Sequence, residues 1–213
     1  MNKSYIVFDT ETTGLNPLNG DRVIEIGCVE IIDNQFTERK FHEYVNPECL
    51  ISEESFNIHK ISNDFVANKG KFNQIANSLR KYFDHKTNER EVVLIGHNIT
   101  FDIRFLNSEF EKSGIDFNLN DFKTIDTVLI SKIKWPGEMA NLDAFCQRCG
   151  TDISQREKDG HGALLDATLL AKAILDIGMN EIERLLIDDL DFDINILNKK
   201  LDSPLSDRGF LFD

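Results

Sequence analysis

Apolar residues recur along this chain in two periods, and the change from one to the other divides it. Ile6 to Phe8 is a run of β-branched and aromatic residues that predicts a buried strand. Val23 to Ile32, where Val, Ile and Cys are interleaved with Glu25, Gly27 and Glu30, predicts a second. Asp33-Asn34 is a hairpin signal, and Phe36 to Val45 predicts the returning strand. Such short connections favour antiparallel neighbours. Helical spacing then takes over. Ser52-Glu53-Glu54-Ser55 predicts the capped start of a short helix running towards Phe56, Ile58 and His59. Phe72, Ile75, Ala76, Leu79 and Phe83 predict a longer one. Val92 to Ile95 predicts a buried strand ending in Gly96-His97-Asn98, and Phe101 to Ser113 a helix with Thr100 as its N-cap. Phe122 to Ile125 predicts a fifth strand that ends at Asp126. Short helices are predicted over Val128 to Lys134 and Leu142 to Cys149, the second stopped by Gly150. Thr151 to Gly160 is polar and predicts a mobile loop, and Ala163 to Ile177 predicts the last helix. Three strands in succession, then strands alternating with helices, predict an α/β domain: one mixed five-stranded sheet flanked by helices.

Composition narrows the classes. A chain of 213 residues supports one well-buried core with a small appendage. No apolar run approaches the roughly 20 residues needed to cross a bilayer. The N-terminus lacks the charged-then-apolar plan of a signal peptide, so a cytoplasmic protein is expected. The net charge is -13, from 37 acids and 24 bases. That sign argues against a broad electrostatic grip on duplex nucleic acid, but it is compatible with an enzyme that holds a few nucleotides through metal ions. Of the four cysteines, Cys146 and Cys149 form a C-x-x-C without a second pair at zinc-site spacing, so reduced core thiols are expected.

The chemistry gathers in acids. Asp9 and Glu11 follow the first strand two residues apart, and residues so spaced in an extended chain project to one side. Two bare carboxylates held together repel each other unless a cation lies between them, and oxygen ligands suit Mg²⁺ or Mn²⁺. Asp102 and Asp166 are each predicted in the first turn of a helix, where the dipole favours a carboxylate. Together the four acids could hold two divalent ions roughly 3.5–4 Å apart, the arrangement used for in-line attack on phosphodiesters. His161 lies between Gly160 and Gly162, just before the last helix, and a histidine there can act as a general base near neutral pH. His42 is expected on a strand surface, His85 in a polar loop and His97 in a structural role.

These residues resemble a known family. Asp9-Thr10-Glu11-Thr12-Thr13-Gly14, His97-Asn98 with Phe101-Asp102, and His161-Gly162-Ala163-Leu164-Leu165-Asp166-Ala167 are similar, in order, to the three signature segments of the DEDDh 3′→5′ exonucleases. The branch most resembled is the proofreading epsilon subunits of bacterial DNA polymerase III, with further similarity in Ile24-Glu25-Ile26-Gly27, Phe56-Asn57-Ile58-His59 and Leu142-Asp143-Ala144. The resemblance implies a ribonuclease-H-like fold and two ions, Mg²⁺ or Mn²⁺. Asp9, Glu11 and Asp166 match direct metal ligands, Asp102 an acid that acts on the ions through water, and His161 the general base. Glu54 and His59 match positions that contact the terminal nucleotide. Thr12 matches a residue whose backbone meets that nucleotide, and Leu15 an apolar wedge between the last bases.

The expected organisation is an exonuclease domain over residues 1–178 and an acidic tail over 179–213. Only 36 residues follow Ile177, fewer than the polymerase tether of the epsilon branch. From Asn180 onward there are nine acids and four bases, with Leu185, Leu186, Leu190, Phe192, Ile194, Ile196 and Leu197 available to a partner. Phe210-Leu211-Phe212 loosely resembles apolar peptides that dock on sliding clamps. The expected activity is removal of 3′-terminal nucleotides from single-stranded DNA ends beside a polymerase catalytic subunit. The alternatives are a stand-alone exonuclease on RNA or short oligonucleotides, and a scaffold that stabilises a polymerase.

Overall fold

The computed structural model describes residues 3–84 and 90–186. A five-stranded sheet of order β3-β2-β1-β4-β5 forms its centre. The strands are β1 (Lys3–Thr12), β2 (Val23–Ile32), β3 (Gln35–Tyr44), β4 (Glu91–Gly96) and β5 (Lys123–Asp126). β1–β2 and β2–β3 are antiparallel, whereas β1–β4 and β4–β5 are parallel. The mixed sheet thus follows from the order of strands and helices along the chain.

Strand alternation sends Tyr5 and Val7 to one face and Ile6 and Phe8 to the other. On the first face they pack with α5 (Thr127–Lys134), α6 (Leu142–Arg148) and α8 (Ala163–Ile177), through Ile130, Phe145, Leu170 and Ile174. On the second they meet α3 (Phe72–Phe83) and α4 (Ile99–Lys112), through Phe72, Leu79, Phe105 and Phe110. The smaller α1 (Glu53–His59) and α2 (Asn63–Ala67) follow β3, and α7 (Ser154–Asp159) precedes α8.

Four local expectations are corrected. Thr151 to Gly160 is not a loop throughout, because Ser154–Asp159 is helical; its Gln-Arg-Glu-Lys composition carries good helix propensity that overall polarity concealed. Residues 63–67 form a helix where none was expected. The N-cap of α4 is Asn98 rather than Thr100, in a left-handed conformation (φ 66°) that asparagine tolerates. Its N–H donates to Asp126 Oδ1 at 3.0 Å, and the same oxygen accepts from Val128 N at 2.9 Å. Finally, 179–186 is helical and closes onto the body of the domain: Met179 and Ile182 are buried in the core, with Leu185 and Leu186 packed against it. Those two leucines are partly buried against the chain's own core. Tyr5 Oη and Lys3 Nζ both reach Glu183. The remainder of the expected tail, including Phe210-Leu211-Phe212, and His85 lie outside the described residues.

Gly27 positions the site. It stands opposite Asp9 in the β1–β2 register, and the first turn of α8 rests directly on it. A Cβ at Gly27 would come within 2.1 Å of the Leu164 nitrogen and 2.3 Å of the Ala163 carbonyl carbon. Backbone cannot yield as a flexible side chain does, so Gly27→Ala is expected to lift the start of α8. We expect a loss of about 3 kcal/mol or more in denaturant unfolding. The placement of Asp166 should be disturbed with it, because Asp166 rides on that turn.

Candidate active site

β1 is longer than the apolar run that marks it, so Asp9 and Glu11 lie within the strand. They continue the Tyr5–Val7 face, on which α8 packs. β4 pairs with β1 only as far as Val7–Ile95. Beyond Val7 that edge of β1 has no strand partner, and a backbone donor there needs another acceptor. Asp102, in the first turn of α4, supplies it: its Oδ1 accepts from Thr10 N at 3.0 Å and from Thr10 Oγ1 at 2.6 Å. The parallel partner's early end thus lets α4 bring its carboxylate to the strand. From the other side, the turn resting on Gly27 brings Asp166, whose N–H closes onto the Gly162 carbonyl at 2.8 Å.

The four acids share one small region. Burial raises the carboxyl of Asp9 well above its ordinary range, and Asp102, Glu11 and Asp166 raise it further. Glu11 is raised by burial, then by Asp166, Glu25 and Asp102. Asp102 rises to about 7 through burial, against the opposing pull of its Thr10 hydrogen bonds. Asp166 is raised by burial, with Arg156 acting the other way. Such a cluster is strongly short of positive charge.

His161 stands at its rim, partly exposed on the loop between α7 and α8. Among the described residues, Glu11, His161 and Asp166 each offer one ligand atom, all within 4.8 Å of one another. Burial first, and then Arg156, hold the imidazole below its ordinary pKa, so it is neutral near pH 7. His59, at the end of α1, is buried; its Nδ1 accepts from Ile61 N at 3.0 Å. Its buried Nε2 is directed towards the Thr12 backbone but makes no hydrogen bond of good geometry. Ser52 N donates to the Thr13 carbonyl at 2.9 Å and moors α1 beside the end of β1. Glu54 is exposed in the first turn of α1, and Leu15 is 76% exposed just after β1. Thr12 is buried at the β1 terminus. His97 bridges Thr127 Oγ1 (2.9 Å) and the Ala140 carbonyl (2.7 Å), a structural role. His42 sits on β3 and bonds Glu25 Oε1 at 2.7 Å. Cys146 is buried in the core, where burial pushes its thiol up to about 12.

Two residues of the site escaped sequence reasoning. Arg156 enters from α7 with 7% of its side chain exposed and bonds both oxygens of Asp166. The signal available was a helix-forming hexad just before His161. Thr10 is the other, hidden between two acids. Thr10→Val removes a 2.6 Å hydrogen bond from Asp102 while keeping side-chain shape. We expect a fall in kcat of about 10- to 100-fold with the circular-dichroism spectrum unchanged.

A mixed sheet of this order, with acids converging at the end of its central strand, defines a nuclease of the phosphodiester-hydrolysing type. The family model described as Exonuclease matches residues 6–174, and the chain belongs to that family. Within the family it is 43% identical over 170 residues to the DNA polymerase III subunit epsilon of Rickettsia typhi, covering 78% of this chain and 70% of that protein. The epsilon subunit of Buchnera aphidicola subsp. Baizongia pistaciae is 37% identical over 214 residues, covering 97% of this chain and 84% of the relative. In fold, the chain is similar to the nuclease domain of 3′hExo, a DEDDh family member bound to rAMP, with a TM-score of 0.67, 20% identity and coverage of 83% and 92%. The ribonuclease-H-like fold agrees with the sequence expectation. The DEDDh family depends on divalent metal.

Proposed function

We propose that this exonuclease removes 3′-terminal nucleotides from single-stranded DNA ends and proofreads for a replicative polymerase, using two divalent cations, Mg²⁺ or Mn²⁺. The reading rests on the convergence of Asp9, Glu11, Asp102 and Asp166, carboxylates whose crowding and burial oppose ionisation unless cations lie among them. The donor set is all oxygen apart from one imidazole, which fits hard divalent ions. Asp9, Glu11 and Asp166 would hold them directly, and Asp102 through water. When bound, such ions polarise the scissile phosphate and neutralise the charge of the attacking and leaving oxygens.

The chain's own residues do the remaining work. His161 takes the proton of the water that attacks phosphorus; its lowered pKa keeps it in the neutral form a base requires. Asp102, fixed by Thr10, orients its neighbours. Leu15 would wedge between the last bases, while Thr12, Glu54 and His59 would meet the terminal nucleotide. Support for the last is the unpaired Nε2 of His59, a buried polar atom turned towards the β1 terminus.

Residues 1–178 carry the catalysis in this reading, with 179–186 docked on them, and the acidic remainder serves a partner. That the named relatives are polymerase III subunits supports a polymerase catalytic subunit as the partner and the cytoplasm as the location. Among the described residues, no helix is long and apolar enough to cross a membrane. A sliding clamp is a further partner to test through Phe210-Leu211-Phe212.

The deciding experiment compares 3′-mismatched DNA primers with matched DNA and RNA single strands, with and without Mg²⁺. Metal-dependent release of nucleoside monophosphates, fastest from DNA, is expected. Faster cleavage of RNA would favour the stand-alone alternative, and no metal dependence would reject the mechanism.

A further inference from the structure

We propose that Arg156 is a displaceable internal cation: it holds Asp166 and His161 in a closed arrangement and must withdraw from both before the reaction can run. The proposal rests on the metal reading above.

The guanidinium grips Asp166 as a fork, Nε donating to Oδ1 at 2.6 Å and Nη2 to Oδ2 at 2.9 Å. Nη2 also lies 2.7 Å from His161 Nδ1, and Nη1 bonds Asp143. Both partners of the fork belong to the proposed machinery, and the contacts hinder each in turn. An arginine has donors only. His161 Nδ1 must therefore be the acceptor, so the neutral ring carries its proton on Nε2 and has no free lone pair with which to take another. Each oxygen of Asp166 receives a charge-assisted bond that occupies one of its lone pairs and weakens it as a donor to a divalent ion. A fixed positive charge at that distance would also repel one.

The arrangement is nonetheless a sensible resting state. Four clustered carboxylates need a counter-charge, and Arg156 acts against the burial-raised pKa of Asp9, Glu11 and Asp166 alike. It also has somewhere to go. Asp143, at the start of α6, is 44% exposed and already bonded to Nη1. It could keep the guanidinium while Asp166 is released. α7 ends at Gly160, whose φ of 85° gives the segment a glycine turn beside His161.

The test uses the full chain and Mg²⁺ or Mn²⁺ alone as probe. In Arg156→Gln, calorimetric titration should show tighter ion binding, on the order of tenfold, the size usual for changing one polar partner around a ligand. Its melting temperature in EDTA should fall, because the cluster has lost its counter-charge. A merely structural arginine would give weaker or unchanged ion binding, and that result would overturn the proposal. If the variant does not fold, the wild type answers by NMR. The Arg156 Nε–H signal, protected while it donates to Asp166, should shift and lose protection as Mg²⁺ is added. A signal unmoved at saturating Mg²⁺ would equally overturn it. Failure of the wild type to bind any ion would instead remove the metal reading beneath.

Discussion

Asp9→Ala is expected to abolish metal-dependent shortening of a 3′ end, by about 1,000-fold or more, while leaving the protein at least as stable as before in EDTA. The first half follows from its position. Asp9 lies opposite Gly27, at the point where α8 descends on the sheet, with Asp102, Glu11 and Asp166 all raising its carboxyl. The second half follows from charge. Removing one of four clustered acids relieves repulsion that an ion would otherwise balance. The combination matters, since a variant that lost activity by unfolding would lose stability too. His161→Ala should lose about 100- to 10,000-fold in kcat, the range of a single general base, again without unfolding. A labelled-primer assay beside thermal melts checks both. Full activity in either variant would reject the assignment.

The second large effect is a dependence of stability on pH that metal should remove. Burial and mutual repulsion raise the carboxyls of Asp9, Glu11, Asp102 and Asp166 in the folded state, Asp102 to about 7. In the unfolded chain these groups titrate near 4. Between those values the folded protein binds more protons than the unfolded one, so stability falls as pH rises through the window. Well between its unfolded and folded pKa values, each group contributes about 1.4 kcal/mol per pH unit. His59, His97 and His161 act in the opposite sense, since their folded pKa values are lowered, and their contribution is complete only about one pH unit above the unfolded value of about 6.5. Above about pH 7.5 in EDTA, the melting temperature should therefore fall. Saturating Mg²⁺ should abolish that fall, because the ion favours ionised carboxylates. Asp9→Asn should flatten the slope without metal. A melting temperature that rises over this range in EDTA would contradict the cluster.

Much of the fold could be read before any coordinates. Alternation in Tyr5 to Phe8 and the hairpin at Asp33-Asn34 mark three antiparallel strands, and helical spacing from Phe72 to Phe83 marks a layer above them. These signals are local, since a residue's neighbours two or four positions away decide which face it shows. Errors fell where local signals are weak or contradicted. Ser154 to Asp159 has no apolar stripe, and it is held by one buried arginine whose partners lie 10 and 13 residues on either side. The turn at Asn98 is set by Asp126, 28 residues later.

The acids of the site were also legible as residues, because their types and spacing constrain what they can do. By itself the sequence determined the periodicity, the strand order along the chain, and the identity of Asp9, Glu11, Asp102, Asp166 and His161 as candidates. Only tertiary structure decided that they meet: β4 stops at Gly96 and leaves Thr10 for Asp102 to cap, and Gly27 lets α8 approach within backbone contact. It alone decided that Arg156 lies among them. The physical reason is that spacing along a chain fixes directions within one element, whereas distances between elements depend on how side chains of quite different segments fill the space between them.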